Sequence, residues 1–340
     1  MSLRRSIRTA LDHGARGLGL LHLFERRMRR ELTVLMYHRV LPATECVDYP
    51  FPSLVMPADW FEAQVSWLAA ESELVTVSAG LAALASPARV RPRPLVALTF
   101  DDGYWDNHAI AAPILERHGA RGTFFVTTDF VASGLPMWFD RAAAIIRATP
   151  DRILNAAASA HGCAPPAPET AAKGRVRAWV EALKGCAAAQ RETFLGALGP
   201  APDGTALFDP MSPVQVGELA RRGHEIGAHS CSHAILPLAD ADELARELRE
   251  SRAALRAWTG TDVAGFCYPN GSHDERVVAA TRRAGYGFAC TTEVPAGGGV
   301  VDPLRLARHD VTPDRVSKPG GAFDLTAFRA EVAGWHTWLR

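Results

Sequence analysis

A rhythm restricts the fold of this chain more than any other feature. Short apolar runs rich in β-branched residues lie at 32–37, 74–77, 95–100, 122–126, 225–228, 265–268 and 287–290. Patterns of helical period fall between many of them, at 58–71, 109–118, 213–222, 241–258 and 274–284. Apolar runs followed by amphipathic helices are βα units, and repeated βα units require a mostly parallel sheet covered by helices. Seven such runs suit a barrel or a doubly wound sheet, and periodicity does not separate the two.

Between residues 134 and 210 the rhythm stops. Ala- and Arg-rich helical segments such as 141–148 and 174–183 replace it, broken by Pro165, Pro166, Pro168, Pro200 and Pro202. This reads as a helical insertion on the rim of the main domain, of the kind that shapes a substrate cleft. The main domain is expected to span residues 31–340, with the insertion at about 134–210.

Residues 1–30 form a separate expected unit, a basic amphipathic helix. Eight arginines stand there against Asp12 and Glu25, and Leu3, Ile7, Leu11, Leu18 and Leu21 recur near a helical period. The uncharged stretch 17–24 contains His22 and is too short to span a bilayer. No apolar segment followed by a cleavage site suggests a secretory signal. The helix either packs on the protein's own surface or lies on an anionic membrane face.

Lys plus Arg and Asp plus Glu both number 37, so overall charge gives no reason to expect a nucleic-acid partner. Six cysteines are scattered without a CxxC pair, which suits reduced thiols in a cytoplasmic protein. The expected location is therefore the cytoplasm, with peripheral contact at the inner membrane face through residues 1–30.

Two segments carry chemistry. The run 95–100 leads straight into Asp101, Asp102 and Gly103. At the C-terminal end of a parallel strand such side chains project into the mouth where α/β active sites form. Two adjacent carboxylates repel and stay ionised only beside a cation or donors; Asp before Gly is also common turn chemistry. The second segment places His229 and His233 four residues apart after the run 225–228. Two imidazoles and one of the aspartates would make a metal site with positions left open for water.

Thr99-Phe100-Asp101-Asp102-Gly103-Tyr104, followed by His229-Ser230-Cys231-Ser232-His233, resembles the first two motifs of the polysaccharide deacetylases, the NodB-homology group of carbohydrate esterase family 4. The resemblance covers roughly residues 32–312. It implies a deformed (β/α)7 barrel and a metal-dependent hydrolase that deacetylates N-acetylated sugars in a poly- or oligosaccharide or a lipid-linked glycan. Asp102, His229 and His233 would bind the metal, Zn²⁺ in most members, and Asp101 would be the general base for the attacking water. The alternatives are hydrolysis of another non-peptide C–N bond on the same barrel, or an inactive barrel that binds glycan.

Phe266-Cys267-Tyr268-Pro269-Asn270-Gly271 resembles the family's third motif, and by position the Asn270 N–H would help stabilise the oxyanion. The arginine of that motif, which pairs with the base, is replaced by Cys267, so Arg305 or Arg308 is expected to serve instead. The family's fourth motif, an Asp-Trp segment, is absent. His309 stands where a fifth-motif general acid would be, although its neighbour Arg308 competes for the inward place. His38, in a Tyr-His-x-Val segment like that of deacetylases of polymeric N-acetylglucosamine, either faces the same mouth or is a buried structural histidine. Trp138 either stacks on a sugar ring or belongs to the core.

Overall fold

All strands of the main sheet run the same way. The computed structural model describes residues 2–46, 49–85, 91–167, 174–201, 208–294 and 302–335. Its strands are β1 (Leu32–Tyr37), β2 (Arg39–Leu41), β3 (Val55–Pro57), β4 (Glu73–Val75), β5 (Leu95–Phe100), β6 (Thr123–Val126), β7 (Glu225–Ala228), β8 (Gly265–Cys267), β9 (Phe288–Cys290) and β10 (His309–Asp310). The sheet order is β10-β1-β5-β6-β7-β8-β9, entirely parallel, with β4 alongside the first half of β5. Strands β2 and β3 pair separately. One segment crosses the remaining gap: Leu306 bridges Cys290 of β9, while His309 and Asp310 pair with β1. This seam makes the curled sheet a deformed barrel rather than an open doubly wound sheet.

Strand parity separates outside from inside. Val96, Leu98 and Phe100 of β5, Phe124 and Val126 of β6, and Ile226 and Ala228 of β7 join one large core with residues of the outer helices, such as Val65, Leu115, Leu219 and Leu248. The alternate residues Val34, Ala97, Phe125, Cys267, Cys290 and Leu306 form a second cluster inside the curl. Phe100 is fully buried between Tyr37 and Phe124, its ring centroid 5.7 and 4.8 Å from theirs. Burial of such a side chain is worth about 2–3 kcal/mol. Phe125 fills the interior so fully that a Cβ on Gly227 would lie 2.4 Å from its ring, which explains a glycine in the middle of β7.

Helices 58–71, 213–222, 241–258 and 274–284 form within a residue of their expected ends. Asp240 caps Ala241–Thr259 by accepting from the N–H groups of Asp242 and Glu243, and Ser212 and Gln215 make a capping box before Pro213–Arg221. The pattern at 109–118 begins instead with a π-helical turn, Asn107–Ala111, that leads into Ala112–Arg117. Val77, read as the end of a strand, starts a helix at Val77–Ala85.

Beyond β6 the insertion is helical, with Trp138–Ala148, Asp151–His161, Arg175–Leu183 and Ala188–Ala197. It has its own core, in which Phe139, Ile145, Leu154, Trp179 and Phe194 pack with Tyr49, Phe51, Val55 and Tyr104. Trp138 belongs to that core, with the Arg191 guanidinium 3.9 Å over its ring, so it is a packing residue and not a sugar platform. Pro168 and Pro202 lie outside the described residues.

The N-terminal segment forms two helices, Ser2–Gly17 and Leu20–Met28, parted at Gly19. Ala15 and Leu21 pack with Ala330 and Trp335, Met28 enters the main core, and Glu25 pairs with Arg329 at 2.6 Å. Ile7, Leu11 and Leu18, which a barrel-covering helix would bury, remain 52%, 48% and 79% exposed. The docking face is one built on Ala15 and Leu21. The side chain of Leu3 lies outside the described residues.

Candidate metal centre and catalytic pocket

Parallel strands bring their C-terminal ends to one mouth. By the parity of β5, Thr99 and Asp101 point inward, and the chain then turns sharply. Asp102 has φ 81°, and Ser230, His233 and Asn270 also take positive φ. These are the non-glycine residues with positive φ among those described, and all four lie around this mouth. Backbone strain of this kind persists only where the surrounding structure over-determines it, and it concentrates at functional sites.

Asp102 Oδ1 lies 3.6 Å from His229 Nε2 and 3.5 Å from His233 Nε2, and all three side chains are buried. Two ligands held by one small divalent ion at tetrahedral positions stand about 3.3 Å apart. Asp102 Oδ1 is buried without a hydrogen-bond donor, as an ion ligand would be. His229 Nδ1 bonds the Cys267 carbonyl at 2.8 Å, which protonates that nitrogen and leaves Nε2 with a lone pair facing Asp102. Burial raises the Asp102 carboxyl well above its ordinary range, and Asp101 and Asp140 add to this. Burial lowers both imidazoles, and at His233 the nearby His229 and Lys184 lower it further. A carboxylate that resists ionisation and two neutral imidazoles fit a divalent cation.

Asp101, His229 and Cys267 also come within ligand spacing of one another. That set competes poorly, because both oxygens of Asp101 are already engaged. Arg308 reaches it from the closing seam, with Nη1 donating to Oδ1 at 2.8 Å and Nη2 to Oδ2 at 2.7 Å. The same guanidinium donates to the Thr291 carbonyl, to Thr99 Oγ1 and to Cys267 Sγ. Burial alone would raise the Asp101 carboxyl, but the Arg308 charge and hydrogen bonds outweigh it and hold the group well below the ordinary carboxylate range. Burial also pushes the Cys267 thiol well up, so it stands beside the pair as a neutral thiol. Of the two arginines expected to replace the missing one, Arg308 does so. Arg305 turns outward to Glu275 at 2.7 Å.

His309 does not reach the mouth. Alternation on entering β10 turns Arg308, the residue just before the strand, inward and His309 outward, where the ring is buried near Glu331 and Gly334. Its expected role as general acid has no geometric support. His38, at the end of β1, does face the mouth, with Nε2 3.9 Å from Asp101 Oδ2. Asn270 sits on the tight turn Pro269–Gly271 and lines the same pocket. A Cβ on Gly271 would meet Thr292 Oγ1 at 2.0 Å, so the turn requires glycine there. The pocket is an open cleft with a cavity volume of about 150 Å³, and the insertion supplies part of its wall with Phe139, Arg177, Val180, Glu181 and Lys184. Phe139, next to Trp138, is the aromatic of the insertion that meets the site, its ring centroid 5.1 Å from that of His233.

Several supporting residues carried no signal in the sequence. Glu247 is fully buried on helix Ala241–Thr259 and holds the loop between the two histidines. Its Oε2 accepts from the N–H groups of Cys231 and Ser232 at 2.8 and 2.9 Å, and Oε1 accepts from Ser232 Oγ at 2.8 Å. Arg39 pairs with Asp106 at 2.7 Å, both fully buried, and lies 4.1 Å over the Tyr104 ring. Tyr104 and Tyr49 donate to Asp140, tying the insertion to the Asp101–Tyr104 turn. All of these depend on contacts between segments distant in the chain.

The polysaccharide deacetylase profile matches residues 88–289, which include Asp101, Asp102, His229, His233 and Asn270 but not His38 or Arg308. A curated Bacillus subtilis relative described as a polysaccharide deacetylase, YxkH, is 33% identical over 97 residues, which are 28% of this chain and 32% of the relative. The Streptococcus pyogenes deacetylase PplD, solved in complex with acetate, superposes with a TM-score of 0.56 at 17% identity, covering 86% of this chain and 96% of that one. IcaB from Ammonifex degensii gives 0.53 at 19% identity, covering 90% and 96%. At such identities the two structures speak for the fold. By the profile that matches more than half of its length, across the residues that build this mouth, the chain belongs to the polysaccharide deacetylase family.

Proposed function

We propose that this protein is a metal-dependent hydrolase that removes acetyl groups from N-acetylated sugars of a glycan. The observation that carries the reading is the Asp102, His229 and His233 triad beside an Asp101 kept ionised by Arg308. The triad's two nitrogens and one oxygen suit Zn²⁺, with open positions for water and substrate. Such an ion, when bound, polarises the acetyl carbonyl and acidifies a water. Asp101 takes the proton of the attacking water, its orientation fixed by the two-pronged Arg308 contact. The Asn270 N–H donates to the developing oxyanion. Burial keeps His38 neutral at rest, and with Nε2 3.9 Å from Asp101 Oδ2 it takes up the proton that Asp101 removes from the water and passes it to the leaving amine as the C–N bond breaks. Acetate release from N-acetylglucosamine oligomers by Zn²⁺-reconstituted protein tests the reading. Release should stop on chelation and in Asp102→Ala, and turnover that survives exhaustive chelation would refute it.

We further propose that the N-terminal helices rest on an anionic bilayer. Exposed Ile7, Leu11 and Leu18 in a segment of eight arginines and two acids favour it. The protein should sediment with vesicles containing anionic phospholipid and not with neutral ones. Ile7→Ser with Leu11→Ser should abolish this without lowering the melting temperature; sedimentation unaffected by the pair would refute the proposal.

A further inference from the structure

The insertion turns one helical face toward the metal triad. Arg177, Val180, Glu181 and Lys184 succeed one another at i, i+3, i+4 and i+7 along Arg175–Leu183 and its C-terminal cap, and all four line the pocket that Asp102, His229 and His233 also line. Such spacing places four side chains on one stripe. Val180 anchors the stripe in the insertion core, and the three charged residues around it face the cavity.

The charges do not cancel. Lys184 Nζ meets Glu181 Oε1 at 3.0 Å, whereas no carboxylate among the described residues pairs with Arg177. Within the pocket, Asp101 is matched by Arg308, and Asp102 would be matched by an ion. His38, kept neutral by burial, and the uncharged Phe51, Ser53, Leu54, Phe139, Asn270 and Thr292 line the remaining wall. Two cations and one anion therefore leave a positive excess on the insertion side, where a neutral acetamido sugar accepts hydrogen bonds but offers no counter-charge.

We propose that the natural substrate carries an anionic group, a phosphate ester or a carboxylate, on or next to the acetylated sugar, and that Arg177 and Lys184 recognise it. The inference rests on the deacetylase reading and narrows its substrate class. A guanidinium presents paired N–H donors that match two oxygens of either anion, and the lysine adds a mobile point charge. Glu181 orients Lys184 and disfavours a second anionic group close by.

The test uses the full chain loaded with Zn²⁺ and three N-acetylglucosamine tetramers: the neutral one, one bearing a phosphate monoester, and one bearing a uronate. Acetate release should give the preferred anionic tetramer a kcat/KM about tenfold above the neutral one, expressed in KM, as one charge-assisted contact supplies. The phosphate and uronate arms identify the anion. Arg177→Gln and Lys184→Gln should each bring the preference down to about two- to threefold, and high salt should weaken it. Equal kcat/KM for all three tetramers, or a preference that survives both substitutions, would overturn the proposal while leaving deacetylation intact. If no tetramer loses acetate, the deacetylase reading fails. Calorimetric binding of the same tetramers then decides the charge preference, and equal affinities would refute it.

Discussion

Arg308 and Asp101 meet through two parallel hydrogen bonds of 2.8 and 2.7 Å, with the guanidinium fully buried. The cation comes from the closing seam and not from the end of β8, where Cys267 stands in the arginine's place. Arg308→Gln should lower kcat by about 10² by leaving the base poorly oriented and harder to ionise. It should also destabilise the fold by about 3–5 kcal/mol, since a buried charge loses its partner. Circular dichroism separates the two effects. Adding Cys267→Arg should restore part of kcat, because Sγ lies 3.1 Å from Arg308 Nη2 and the new guanidinium starts beside the vacated space. Wild-type kcat in Arg308→Gln alone would remove Arg308 from the mechanism.

Asp101 and Asp102 should separate by metal content. Asp101→Asn is expected to cut kcat by about 10² with metal retained, the effect of losing a general base. Asp102→Asn should lose the ion itself. Equal metal loss in the two variants would mean that their roles must be exchanged.

Glu247 touches no expected ligand but holds the backbone between His229 and His233. Glu247→Ala should weaken metal affinity about 10- to 100-fold, as loss of an outer support typically does, while KM for substrate in fully loaded protein changes little. Competition with a chelator measures the affinity. An unchanged value would make Glu247 a purely structural residue.

His38 and His309 offer a contrast. His38→Gln should reduce kcat by about 10²-fold or more, the scale of a lost general acid. His309→Gln, whose ring sits on the outer side of β10, should leave kcat within about twofold and act on stability instead. Steady-state kinetics on both variants decides, and the reverse pattern would return the acid role to His309.

His224 makes stability depend on pH far from the site. Its Nδ1 accepts from the Gly122 N–H at 3.1 Å, and Nε2 lies 3.0 Å from Glu116 Oε1, an arrangement that requires the neutral ring. Burial lowers it from its ordinary value to about 4, against the pull of Glu116. Between about pH 4 and 6.5 the unfolded chain therefore binds a proton that the folded chain does not, so stability rises with pH across that window. Urea midpoints at pH 7 and pH 5 should differ, and by less in His224→Gln. Equal differences in both proteins would assign the slope to other groups.

Local patterns in the chain were enough to determine the βα rhythm, the long helices and the inward aspartates. A strand has period two and a helix 3.6, and capping residues such as Ser212 and Asp240 act within a turn of themselves. Asp101, Asp102, His229 and His233 were legible for the same reason, since each pair sits on one short segment at a strand end. Where parity had to be known across a gap, local reading failed: the side of β10 that takes Arg308 and rejects His309 is set only when residues 303–311 bridge β9 and β1. Trp138 and Phe139 are neighbours of similar character, and only packing of the insertion sends one into the core and the other to the pocket. Glu247, Arg39 and Asp140 are ordinary polar residues in sequence. They become buried supports because folding removes them from water next to partners 15 to 91 residues away, where an unpaired charge could not remain. Tertiary structure alone decided those partnerships, because the cost of burying a charge depends on what meets it.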